Sequence, residues 1–270
     1  MAFVIGSIFN KIIDALDNRD TRLDHLPFTS PLSAIVVATS YMYFVKVGGP
    51  SFMSRRKPFE LNNVIIIYNL IQIVLNAALF LYGLYAWWNY NPNFNLACEP
   101  IDWGTNVPAI KAAESVYYYY CLKLLDLCDT IFFVLKKKTG QISFLHVYHH
   151  LVVLIFTYKA VGWSPGGQFI IVGMLNCIVH TIMYTYYLFS VFEPELKKNV
   201  AIKRSVTTIQ MIQFLLLLFY FGRPLLNPDC PLPKFFLFEV VAQNIFLFCL
   251  FANFYYRNYC VNQRVLNKAK

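Results

Sequence analysis

Charge is scarce in this chain. Asp, Glu, Lys and Arg make up 14% of its 270 residues, against about a quarter in an average soluble domain. Histidine is rarer still, at five residues, too few for a centre that needs many imidazoles. No N-x-Ser/Thr acceptor occurs anywhere, "NYNPNFN" included, which excludes N-glycosylation as a reporter of topology. Low-complexity tracts, short-period repeats and a stretch with the composition of a soluble domain are also missing. What remains is greasy: 58% hydrophobic, 18% aromatic, mean hydropathy +0.49. This is the composition of an integral membrane protein.

Apolar runs near membrane length predict seven spanning helices, at about 32–47, 64–88, 112–135, 142–158, 168–192, 205–222 and 235–256. The N-terminus "MAFVIGSIFNKIIDALDNRDTRLDHLPF" reads as a short amphipathic helix and a charged stretch, not as a cleavable signal peptide. A net charge of +9 raises the question of nucleic acid, but the charge follows topology. With loops assigned to alternate sides, fifteen Lys and Arg fall on the side holding the C-terminus and seven on the side holding the N-terminus. By the positive-inside rule the C-terminus is cytosolic, the N-terminus lies outside, and no nucleic-acid partner is implied.

The seven cysteines sort by the same scheme. Cys121, Cys128, Cys177 and Cys249 fall in spans and Cys260 in the cytosolic tail, leaving Cys98 and Cys230 in outer loops. Two thiols in an oxidising compartment predict a Cys98–Cys230 disulfide.

Polar residues inside spans are costly and mark function by default. The third segment places Lys123, Asp126 and Asp129 at successive i, i+3 positions on one face. The fourth carries H-x-x-H-H, His146, His149 and His150, within about a 100° arc. Asn176, His180, Tyr184 and Tyr187 share a stripe of the fifth, and Thr207, Gln210 and Gln213 recur in the sixth. Ion-pair ladders, packing aromatics and interhelical amide bonds account for such residues equally well when each set is taken alone. Depth joins them: at 1.5 Å per residue His146, His149, His150, Asp126, Asp129, His180, Gln210 and Gln213 lie roughly 7–18 Å from the cytosolic ends. The outer halves, "LVVLIFTY" and "LLLLFYFG" among them, are nearly pure hydrocarbon. A chamber open to the cytosol with an apolar slot toward the lumen is the expected result. Lys136, Lys137, Lys138, Lys203, Arg204 and Arg264 ring its entrance, serving topology and anionic lipid as well as any phosphate-rich head group.

H-x-x-H-H also occurs in di-iron membrane desaturases and hydroxylases. Those enzymes gather about eight histidines, and with His25 set aside only four remain here. A single-metal site assisted by Asp126 or Asp129 is arithmetically open, but no metal is expected. A seven-helix receptor or transporter fits span number and topology, yet polar groups confined to one depth fit it poorly.

Several motifs in order, "RRKPFEL", "KLLDLCDTIFFVLKKK" (123–138), "HVYHH" (146–150), "NCIVHTIMYTYY" (176–187) and "TIQMIQ" (208–213), resemble the ELOVL family of very-long-chain fatty acid elongases. The resemblance covers nearly the whole chain, with Asp126 where the family has Glu and Lys136 where it has Arg. It implies an all-α protein of seven helices, six of them forming an inverted barrel around an acyl-CoA tunnel. Residues 1–31 would be a lumenal segment, 32–256 the catalytic domain and 257–270 a cytosolic tail. The implied reaction joins acyl-CoA to malonyl-CoA, giving a 3-ketoacyl-CoA two carbons longer, carbon dioxide and CoA, without a cofactor. His149 would accept the acyl group, with His180 facing it. His146 and His150 would orient or polarise, and Asp126 and Asp129 would fix imidazole tautomers or share protons. Lys123, Lys136, Lys138, Gln141, His146, Tyr186, Lys203, Thr207 and Arg264 would hold CoA. The implied setting is the endoplasmic reticulum membrane, with other enzymes of the elongation cycle as partners and a homo-oligomer left open. The tail "VLNKAK" carries Lys268 at the third position from the end, as in dilysine retrieval signals.

Overall fold

The computed structural model of the chain describes residues 19–90 and 93–261. The N-terminal amphipathic stretch, Arg264 and Lys268 lie outside the described residues. Among the described residues seven long helices follow one another: α1 (Pro31–Met53), α2 (Asn62–Tyr90), α3 (Val107–Leu135), α4 (Phe144–Trp163), α5 (Ile170–Phe192), α6 (Val200–Leu226) and α7 (Lys234–Tyr255). Among the described residues there is no strand. Composition and length mark six of the seven as able to cross a membrane. The exception is α3, whose 29 residues reach about 43 Å but carry the Lys123, Asp126 and Asp129 set. The expected seventh span is therefore supported by length alone.

Local chemistry explains where these helices start and stop. Ser30, Asn106, Ser143 and Asn199 each cap a helix by accepting a backbone N–H at its first turn. The Ser143 cap accepts from the His146 N–H at 3.2 Å, so it fixes the first turn of the histidine-bearing helix. Three helices run four or more residues past their expected ends: α4, which reaches Trp163, and two that pass through a proline. In α1 a π-turn over Phe44–Gly48 lets Gly49 N–H reach the Phe44 carbonyl, and the helix passes Pro50 to Met53. In α6, Pro224 sits in the last turn, and Lys234 Nζ donates to the Pro224 carbonyl at 2.8 Å and to the Asn227 carbonyl. A lysine from the next helix thus occupies carbonyls that the helix end leaves open.

Helix neighbours run α2, α3, α4, α7, α6, α5 and back to α2, while α1 packs on α3 and α4. One apolar cluster joins Tyr41, Ala113, Tyr120, Leu154 and Val161 where α1, α3 and α4 meet. A second joins Phe169, Leu217, Phe221, Leu237 and Val240 around Cys230. The loop after α2 is tied to the turn before α5: Glu99 N–H donates to Gln168 Oε1 at 2.8 Å, and Gln168 N–H to the Glu99 carbonyl at 3.1 Å. Gly167 makes this approach feasible. Its φ is +53°, and a Cβ there would stand 2.6 Å from the Pro100 carbonyl oxygen.

Candidate functional site

Two charged side chains lie deep inside α3. Lys123 and Asp126 are 3% and 2% exposed, a cost that only close pairing and further hydrogen bonds offset. The pairing is intrahelical, Lys123 Nζ to Asp126 Oδ2 at 2.7 Å. The further bonds come from neighbouring helices. Lys123 Nζ donates to Asn176 Oδ1 on α5 at 2.8 Å, and Asp126 Oδ1 accepts from Gln72 Nε2 on α2 at 2.9 Å. His180 Nδ1 stands 3.5 Å from both Lys123 Nζ and Asp126 Oδ2. Tyr184 Oη lies 2.8 Å from Asp129 Oδ2 and 3.2 Å from Asp126 Oδ1. Its single proton serves one carboxylate at a time, and Asp129 is the nearer. Tyr68 Oη completes the cluster, accepting from Gln72 Nε2 at 2.9 Å.

The three histidines of α4 diverge. His146 Nε2 is 2.9 Å from Thr130 Oγ1, which is itself 2.9 Å from Tyr41 Oη. The His146 and His150 rings, one helical turn apart, have centroids 4.3 Å apart. His149 turns toward α7, its ring 6.1 Å from that of Phe251. Of the three it alone lies in the wall of an apolar cavity of about 60 Å³, with Asn176, Gln213, Gln243 and Asn244 among the lining. Among the described residues its ring makes no hydrogen bond.

A separate vestibule of about 500 Å³ has Asp129, Lys136, Lys138, Gln141, Tyr186, Lys197 and Lys203 in its lining. Burial, then the proximity of Lys197 and Lys138, lowers the pKa of the Lys136 amine, which is also bonded to Asn62 Oδ1 at 2.8 Å. Asp129 joins this vestibule to the buried pair through Tyr184.

Seven of the expected residues line these two spaces, His149 the first and Asp129, Lys136, Lys138, Gln141, Tyr186 and Lys203 the second. Six take other places. Asp126 and His180 lie in the buried cluster with Lys123, and His150 packs against the His146 and His149 rings. Lys123 is sealed in the ion pair and does not line the vestibule. His146 is turned to Thr130. The buried Thr207 hydroxyl donates to the Lys203 carbonyl at 3.0 Å and faces Tyr259. Asp129 meets a tyrosine instead of an imidazole. Cys98 and Cys230 are brought together as a disulfide pair with Cα atoms 5.9 Å apart. Among the described residues no three His, Cys, Asp or Glu side chains converge as metal ligands. Sequence reasoning passed over Tyr68, Gln72 and Asn76, although they repeat every four residues in the apolar run of α2, which sets them on one face. It also passed over Gln243 and Asn244 of α7.

The sequence matches the ELO family, GNS1/SUR4, over residues 26–267. The chain belongs to the ELO family. Among its ELO relatives, Very long chain fatty acid elongase 7 of Drosophila melanogaster is 37% identical over 248 residues, covering 91% of this chain and 75% of the relative. Very long chain fatty acid elongase 4 of Homo sapiens is 34% identical, covering 94% and 83%. Very long chain fatty acid elongase 1 of Mus musculus is 30% identical, covering 96% and 93%. These ELO matches span the buried pair, the histidine helix and the vestibule lysines alike.

Proposed function

We propose that this chain is the condensing enzyme of fatty acid elongation, joining a long-chain acyl-CoA to malonyl-CoA. The carrying observation is the position of His149, a half-buried imidazole with no hydrogen-bond partner among the described residues, in the wall of an apolar cavity, in a protein that also has a lysine-lined vestibule. An acyl-CoA has the matching form, an anionic head and an apolar tail.

An imidazole nitrogen of His149 attacks the thioester carbonyl, the C–S bond breaks, and CoA leaves as thiolate and takes up a proton. The acyl-imidazole stays reactive. Malonyl-CoA then loses carbon dioxide, and its enolate carbon attacks the acyl carbonyl; the C–C bond forms, the C–N bond breaks and His149 is restored. The Gln213 amide in the same wall is suited to the oxyanion. Lys136, Lys138, Gln141, Tyr186 and Lys203 hold the head groups, and His180 is positioned by Lys123 and Asp126. The balance needs no metal or redox cofactor; both thioesters are substrates. The Lys and Arg distribution supports a multi-pass membrane protein with its N-terminus outside and its C-terminus cytosolic, and the family resemblance implies the endoplasmic reticulum as the membrane.

Purified protein mixed with acyl-CoA alone should release up to one equivalent of CoA and gain the acyl mass on the peptide holding His149. His149→Ala should lose both. A quenched sample with neither CoA release nor adduct, yet with 3-ketoacyl product once malonyl-CoA is added, overturns the two-step route; absence of product overturns the function.

A further inference from the structure

Two further cavities adjoin the His149 cavity in series. Beyond it, toward the loop carrying Cys98, lies a second apolar cavity of about 30 Å³, which shares Tyr119, Phe156, Thr157 and Val172 with the first. Beyond that lies a third of about 650 Å³, which shares Gly83, Ser115, Ile170 and Met174 with the second. Along α4 the series runs from His149 to Ala160, a rise of about 16 Å. The series of adjoining cavities is therefore narrow at its middle and wide at its far end, where Glu99, Asp102 and Asn106 join the lining.

The two junctions differ in kind. At the first, Tyr119 lies against Gly173, where a Cβ would stand 3.3 Å from the Tyr119 ring. The Tyr119 ring is buried and has Lys123 Nζ 5.0 Å over its face, so it is a fixed wall. At the second, the Met174 side chain lies across Gly83. A Cβ on Gly83 would stand 3.0 Å from Met174 Cγ and 3.2 Å from its sulfur. Methionine is unbranched and adaptable, and it moves where a ring does not. The missing Cβ of Gly83 leaves room for that thioether at the mouth of the wide space.

We propose that the Gly83 and Met174 contact is the gate that sets how far the acyl chain reaches, and with it the longest product. This rests on the function proposed above. With Met174 folded onto Gly83, the chain end stops in the middle cavity; with it displaced, the chain enters the wide one. A methyl on Gly83 pushes the thioether into the bore and narrows it. Removal of the thioether joins the middle and far cavities.

The test uses full-length protein in detergent or lipid, malonyl-CoA and a panel of saturated acyl-CoAs of increasing length, with 3-ketoacyl products read by mass spectrometry. Gly83→Ala should shorten the longest efficient substrate by at least one two-carbon step, with a loss of about tenfold or more at that length, the scale of discrimination a hydrophobic pocket gives per methylene. Met174→Ala should lengthen it by at least one step. The double variant should return toward wild type, which separates a gate from a folding defect. A uniform loss at every length, with the product ladder unmoved in Met174→Ala and in the double variant, overturns the gate while leaving the condensation standing. A wild-type protein that extends no acyl-CoA overturns the function and the gate with it.

Discussion

Lys123 Nζ and Asp126 Oδ2 meet at 2.7 Å within one turn of α3, and almost no solvent reaches either. Loss of one partner leaves the other charged and buried, so Lys123→Met should destabilise the folded protein by about 3–5 kcal/mol. Lys123→Met with Asp126→Leu should recover most of that, since apolar pairs replace buried ion pairs with little loss. Condensation should stay low in the double variant, because His180 loses both neighbours. Thermal midpoints in detergent, read beside turnover, check this; if the double variant is no more stable than Lys123→Met, the pair is not the source of the cost.

Tyr184 joins the buried pair to the vestibule through a single hydroxyl. In Tyr184→Phe the ring and its packing persist while Asp129 loses a hydrogen bond of the charge-assisted kind. The stability loss should be about 1.5–3 kcal/mol, and kcat should fall further than that loss accounts for at temperatures where the variant is fully folded. Unchanged kcat would mean that Asp129 is only structural.

The vestibule lysines predict a dependence on salt and pH. Lys203→Ala and Lys138→Ala should each raise KM for acyl-CoA about tenfold with little change in kcat, the scale of one charged hydrogen bond. The wild-type KM should climb with ionic strength as screening shortens to about 10 Å at 0.1 M. Lys136 adds a direction. Its amine pKa is lowered, and a lysine binds an anion only while protonated, so affinity should begin to fall below the usual lysine range as pH rises. Lys136→Arg should move that fall upward, since a guanidinium stays charged. A pH profile identical in Lys136→Arg would show that this amine does not contact the head group.

Much of this was legible in the chain because membranes make hydrocarbon length and buried charge conspicuous. The expected segments 64–88, 168–192 and 235–256 lie within a few residues of α2, α5 and α7. Apolar runs did not mark the ends of α1 and α6, since a π-turn carries α1 past Pro50 and the last turn of α6 takes in Pro224. The i, i+3 spacing put Lys123 beside Asp126 correctly. It did not tell that Asn176 and Gln72 would close over them, because burial is decided by neighbours on other helices. The divergence of His149 from His146 and His150 was likewise invisible: positions within one arc were equivalent until α7 and Thr130 supplied their surroundings.

The pairing of Cys98 with Cys230, 132 residues apart, yields the last prediction. In the chain-entropy account a crosslink closing more than 100 residues stabilises by up to about 5 kcal/mol, with 2–4 typical. Two features reduce it here. Helices held in a bilayer already restrict the unfolded chain, and the Cys98 loop is also held by Gln168, which bonds to Glu99 and Leu96. Cys98→Ala with Cys230→Ala should therefore cost near the lower end, about 2 kcal/mol, and Gln168→Ala should add to it more than it costs alone, since the two ties back each other up. Non-reducing peptide maps of protein from native membrane should contain the linked pair, and reductant should lower the wild-type midpoint but not that of the double alanine variant. Alkylation of both thiols without prior reduction would show that the bond does not form in the cell.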